Sequence, residues 1–168
     1  LFKGLNSRTV TSIPLLVQDQ GRYISAYSSF SLTVYWIDVL RECVGISLDV
    51  LSVAMMNSTL PEAEYGKEQE VIRREFAMGM DDPDRMIGQL MFRTAYQRHP
   101  YRLPVIGDIQ IFDQLTRTEV YDYYKARYVP NNLTFVIVGD FDADQDYAHL
   151  TAIFQAHPVR SLHQVYLP

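Results

Sequence analysis

Residues 61–80 read PEAEYGKEQEVIRREFAMGM, a run with the periodicity of one helix. Ser58 and Thr59 precede it as good N-cap types, and Pro61 suits a first turn, where its missing N–H has no helical partner. Glu62 and Glu64 complement the positive end of the helix dipole. At about 100° per residue, Tyr65, Ile72, Phe76 and Met80 collect on one stripe. Glu68 and Glu75 fall on the edge of that stripe, two turns apart, one above the other. Lys67, Glu70 and Arg74 lie on the other side, where Glu70 and Arg74 are spaced to pair at i, i+4. Two carboxylates beside an apolar stripe are costly to desolvate unless a cation meets them, an arginine or a metal ion. The alternative is a wet edge with both glutamates solvated.

Composition bounds the rest. The chain has 168 residues, 48% hydrophobic and 21% charged, which suits one globular domain with a real core. The net charge of −5 and the absence of a basic cluster argue against nucleic acid or an anionic membrane as partner. The single cysteine, Cys43, excludes an intrachain disulfide and a cysteine-rich zinc site. No apolar run reaches the length of a membrane span, and no signal peptide is visible. The chain begins at Leu1 rather than Met, which reads as a fragment.

Outward from the central helix, residues 23–29 (YISAYSS) and 33–40 (TVYWIDVL) are rich in β-formers. The short link between them predicts an antiparallel hairpin, with the first strand nearer an open edge. Residues 1–12 read as the end of an element and a loop, and 13–20 as a short helix ended near Gly21. Helical spacing predicts helices over 43–57, 84–96, from Thr116 to Tyr128, and over 142–154. The third of these opens with Thr116 and Glu119 at capping-box spacing. Residues 133–138 (LTFVIV) form the most apolar run and are expected as a buried, central strand turned by Gly139. The residues after His157-Pro158 read as a linker.

The sequence has no phosphate-cradling glycine loop and no Gly-x-Ser-x-Gly elbow. No two of His99, His149, His157 and His163 sit at i, i+4 on a helix, so no complete histidine zinc site is visible. His99 reads as structural, and His149 as a solvated residue on an outer helix face. Tyr121, Tyr123, Tyr124 and Tyr128 read as a core stripe with polar tips, or as a substrate-binding group.

The order of these pieces resembles the pitrilysin/insulinase family of zinc metallopeptidases, which includes the mitochondrial processing peptidases. The matching segments are LFKG at 1–4, ISAYSSFSLTVYW at 24–36, KEQEVIRREF at 67–76, DDPD at 81–84, HPYRLPVIGD at 99–108 and YYKARYVPNNLTFVIVGDFD at 123–142. The resemblance implies an α+β sandwich in which a mixed, largely antiparallel sheet is backed by helices. In that family zinc is held by a His-x-x-Glu-His motif, on a helix ending just before LFKG, and by a glutamate from a later helix. Glu75 falls at the position of that glutamate, and Glu68 at that of a supporting carboxylate seven residues earlier. Zinc in such a site lowers the pKa of its bound water to about 7 and polarises the scissile carbonyl.

No His-x-x-Glu-His occurs here. The resemblance therefore implies either a truncated piece of an active protease, which the LFKG start favours, or a degenerate parent. With one of three protein ligands and no general base, the chain alone is expected neither to hydrolyse peptides nor to hold zinc tightly. The family's substrate-binding edge strand commonly reads Asn-Ala-x-Thr; here it is Ser25-Ala26-Tyr27-Ser28. Such a strand binds an extended peptide through its main chain. The expected organisation is a partial peptidase domain over 1–157 and a linker-like tail over 158–168. The expected partners are a peptide substrate and a second homologous domain or subunit. The sequence sets no compartment; the resemblance favours a bacterial cytoplasm or periplasm. Two rival readings remain: a non-catalytic, structural or peptide-binding half, and an interaction domain with Glu68 and Glu75 solvated.

Overall fold

The computed structural model describes residues 23–162. The expected elements at 1–12 and 13–20, the LFKG segment, His163 and the end of the tail lie outside the described residues. Strand β1 (Tyr23–Ser28) pairs antiparallel with β2 (Thr33–Asp38), in a register running from Tyr23 opposite Asp38 to Ser28 opposite Thr33. The Ser29 N–H donates to the Leu32 carbonyl at 2.8 Å and closes the hairpin loop. The β-branched and aromatic residues of β2 make it a good strand, as the sequence predicts. Among the described residues β1 has β2 as its one ladder partner.

Six α-helices follow among the described residues: α1 (Val44–Asn57), α2 (Glu62–Met80), α3 (Pro83–Ala95), the short α4 (Ile109–Phe112), α5 (Arg117–Arg127) and α6 (Ala143–Phe154). The fold is α+β. Start signals in the sequence work through identifiable bonds. Asp82 accepts from the Asp84 and Arg85 N–H groups ahead of Pro83, and Asp142 accepts from Gln145. Thr116 and Glu119 form the expected capping box, which holds the Glu119 carboxyl below its ordinary value. At α2 the expectation is corrected. Pro61 is itself the N-cap and its carbonyl takes the first helical bonds, while Ser58 caps the C-terminus of α1. Leu60, with φ of 43°, turns the chain between the two helices.

The core sits on α1, not on the long α2. Leu48, Val50, Ala54, Met55 and Met56 are buried, whereas Gly79 is the one buried residue of α2. Ile24, Tyr35 and Ile37 of the hairpin pack on α1 from one side, and Tyr128, Leu133 and Phe154 from others. A helix apolar on most of its faces is buried, and α1 has that composition. On α2 the predicted stripe is only half-buried, and Met80 is 73% exposed. Arg73, rather than Arg74, pairs with Glu70, because Arg73 also reaches Asp113 at 2.9 Å. His149 keeps part of its surface in solvent, as expected, but it is also paired: its Nε2 lies 2.7 Å from Asp49 Oδ1 and ties α6 to α1.

The central strand expected at 133–138 is not formed among the described residues. The segment is extended and alternates, with Leu133, Phe135 and Ile137 half-buried and Val136 and Val138 79% and 90% exposed. Phe135 packs on Phe154, ring centroids 5.3 Å apart. The period of two that marks a strand is present. One face meets the core, and no ladder partner lies beside it among the described residues.

Candidate functional site

A groove of about 1110 Å³ opens between the hairpin, the second half of α2, α3 and the segment around 102–106. Each wall is fixed by packing that follows from the sequence. On α2, Tyr65 donates to the Leu115 carbonyl at 2.8 Å, Arg73 reaches Asp113, and Phe76 meets Phe112 with ring centroids 5.7 Å apart. These contacts set the rotation of α2 and turn Ile72, Glu75 and Met78 into the groove, at the i, i+3, i+6 spacing of one helix face. The hairpin tip is fixed by Phe30, which packs between Phe92 of α3 at 4.8 Å and Tyr101 at 4.5 Å. His99 is structural, as its sequence context indicates: its Nδ1 accepts from the Tyr101 N–H at 3.2 Å.

Of the residues singled out in the sequence, Ala26, Tyr27 and Ser28 line the groove together with Glu75. Glu75 is exposed and has no hydrogen-bond or ion-pair partner among the described residues. Ser25 is half-buried and pairs with Trp36; Glu68 is half-buried; neither is among the groove-lining residues. Among the described residues no three of the His, Cys, Asp and Glu side chains come together as a metal site. The chemistry of the donor set is thus one open carboxylate. It is a competent zinc donor by type, and it needs further donors to hold the ion.

The tyrosines divide. Tyr124 is buried and accepts from the Ser58 N–H at 2.9 Å. The Tyr128 and Tyr35 hydroxyls meet at 2.6 Å. Burial pushes all three phenols above their ordinary value, and for Tyr35 the bond to Tyr128 adds to it. Tyr123 is exposed, and Tyr121 carries Arg117 over its ring at 4.5 Å. Two of the four are therefore core tyrosines with satisfied tips, and none lines the groove. Sequence reasoning missed Arg85 and Arg102, which do line it. The signal available was weak: two arginines flanking an apolar helix, with nothing in their spacing to place them opposite β1.

The site is thus a groove in an α+β frame, with an open carboxylate on α2 set across from the β-hairpin. The chain belongs to the insulinase family, peptidase family M16, whose sequence profile matches residues 1–109. The profile of the peptidase M16 inactive domain matches residues 114–154. An uncharacterized zinc protease of Mycobacterium leprae is 26% identical over 160 residues, covering 95% of this chain and 36% of that protein. The mitochondrial-processing peptidase subunit beta of Neurospora crassa is 30% identical over 144 residues, covering 86% of this chain and 30% of the subunit. A protease from Helicobacter pylori shares the fold with a TM-score of 0.84 at 24% identity, over 92% of this chain and 39% of that one. The M16-like peptidase of Alicyclobacillus acidocaldarius matches with a TM-score of 0.70 at 27% identity, over 88% and 35%. The chain thus spans about a third of the length of these relatives.

Proposed function

We propose that this chain supplies the substrate groove and one metal ligand of a zinc metalloendopeptidase. The observation that carries the reading is that Glu75, without a partner among the described residues, shares one groove with Ala26, Tyr27 and Ser28 of β1. A peptide laid along β1 in extended form would pair with the main-chain groups that have no ladder partner among the described residues and present its scissile bond to the Glu75 side of the groove. Zinc, when bound, polarises the scissile carbonyl and acidifies a water. Glu75 would be one of its ligands, with the remaining donors contributed by residues other than those described. Glu68, two turns away on the same helix, would support the site as a neighbouring carboxylate, and Ser25 would extend the strand that holds the peptide. A second homologous domain or subunit would close over the groove, in keeping with the share of its relatives that the chain spans.

The test is metal content of the complete gene product. Glu75→Gln keeps the shape and removes the charge, and zinc retained through dialysis should fall at least about tenfold. Glu68→Gln should leave the metal in place. Full zinc occupancy in the Glu75→Gln protein would remove Glu75 from the ligand set. The match of residues 114–154 to an inactive domain favours a second reading, a non-catalytic half that binds peptide only. Under it, peptide binds the groove while zinc content is unaffected by either substitution.

A further inference from the structure

Arg85 and Arg102 enter the groove from different elements, one from the first turn of α3 and one from the turn over Pro100–Arg102. Neither has a carboxylate partner among the described residues. Arg85 is seated: its Nη1 and Cδ lie 3.2 and 3.3 Å from where a Cβ on Gly79 would stand, so the missing side chain of Gly79 is the notch that receives it. Gly79 is one helical turn beyond Glu75, which puts the guanidinium of Arg85, an exposed residue, beside the proposed peptide path. The acid nearest in sequence, Asp82, already accepts from the Asp84 and Arg85 N–H groups at 3.1 and 3.2 Å, so its charge is turned to the start of α3. Four charged side chains line the groove, Glu75, Asp82, Arg85 and Arg102; with Asp82 turned to the start of α3, the two guanidiniums outnumber the one open carboxylate.

We propose that Arg85 and Arg102 form a carboxylate-recognising subsite that selects peptides with an acidic group at the position facing the start of α3. This rests on the groove being the peptide site. Guanidinium forks match carboxylates in shape and remain charged at every working pH. The carboxylate could be an Asp or Glu side chain or the peptide's own C-terminus; both offer the same two oxygens.

The experiment is fluorescence anisotropy with the 168-residue chain and labelled peptides in which a single residue, Glu, Gln or Lys, is walked along an otherwise neutral sequence. Each peptide is made with a free and with an amidated C-terminus. At one register the Glu peptide should bind about tenfold tighter than the Gln peptide, an advantage that shrinks at about 0.5 M salt. A preference that follows the free terminus instead assigns the subsite to the C-terminal carboxylate. Arg85→Gln and Arg102→Gln should each reduce the preference about threefold without weakening the neutral peptide, and Arg85→Lys should restore part of it. Equal binding of Glu and Gln peptides, with free and amidated ends alike, overturns the subsite and leaves the groove standing. So does a preference that survives both arginine substitutions. Failure of every peptide to bind overturns both.

Discussion

Tyr124→Phe removes one oxygen from the corner that positions the groove. Tyr124 is 3% exposed and Ser58 is 1% exposed, and the Ser58 N–H donates to the phenol at 2.9 Å. The bond joins the end of α1 to α5, next to the turn through Leu60 from which α2 starts. Phenylalanine keeps the ring and its contact with Tyr128, whose centroid is 5.0 Å away. What is lost is the acceptor, and the N–H stays buried. An abandoned buried donor costs about 1–3 kcal/mol, so about 2 kcal/mol is expected here. For a chain of this length that lowers Tm by about 4–8 °C. Urea unfolding of wild type and variant, followed by circular dichroism, gives the number directly. The midpoint should fall with m unchanged. A loss below about 0.5 kcal/mol would show that the corner relaxes or rehydrates, and that Ser58 does not depend on Tyr124.

Other expectations follow from the same contacts. Val50→Ala, at a fully buried site on α1, should cost about 2 kcal/mol by urea unfolding, whereas Glu75→Gln should stay within about 0.5 kcal/mol of wild type. Thr116→Ala should cost about 1 kcal/mol through the lost cap of α5, measured the same way. The Glu119 carboxyl is held low in the folded state, so its contribution is present above the ordinary glutamate value and fades as pH falls through the folded one; Thr116→Ala should flatten that part of the acid limb in a pH titration of stability. Tyr35 is held above its ordinary value of 10.0, so the folded state keeps its proton longer than the unfolded chain. Its contribution is complete below about pH 10 and is lost as pH climbs toward the folded value, and Tyr35→Phe should make thermal stability fall less steeply in that alkaline range.

Much of this arrangement is legible in the sequence where the signal is local. The hairpin, the breaks at Asp81-Asp82-Pro83 and Pro130-Asn131-Asn132, and the capping box at Thr116 each depend on a few neighbouring residues, and the structure has them. Long-range choices were not legible. Residues 61–80 carry the clearest helical stripe, yet the core gathers on α1, because burial depends on what packs against a helix and periodicity does not report it. Residues 133–138 have strand period and apolarity, but a ladder needs a partner, and none lies beside them among the described residues. The pairing of His149 was not legible because Asp49 is 100 residues away in sequence. The place of Glu75 on the groove wall was reachable from the resemblance. The seat of Arg85 against Gly79 was not, since it depends on the angle between α2 and α3.

The central claim is that a peptide lies extended along β1, facing Glu75. Amide hydrogen exchange of the chain with and without a saturating neutral peptide tests it most directly. The account predicts slower exchange at β1, over Ala26, Tyr27 and Ser28, and at the second half of α2 around Glu75, with α6 unchanged. Peptide binding that protects α6 or the 133–138 segment while leaving β1 untouched would contradict it.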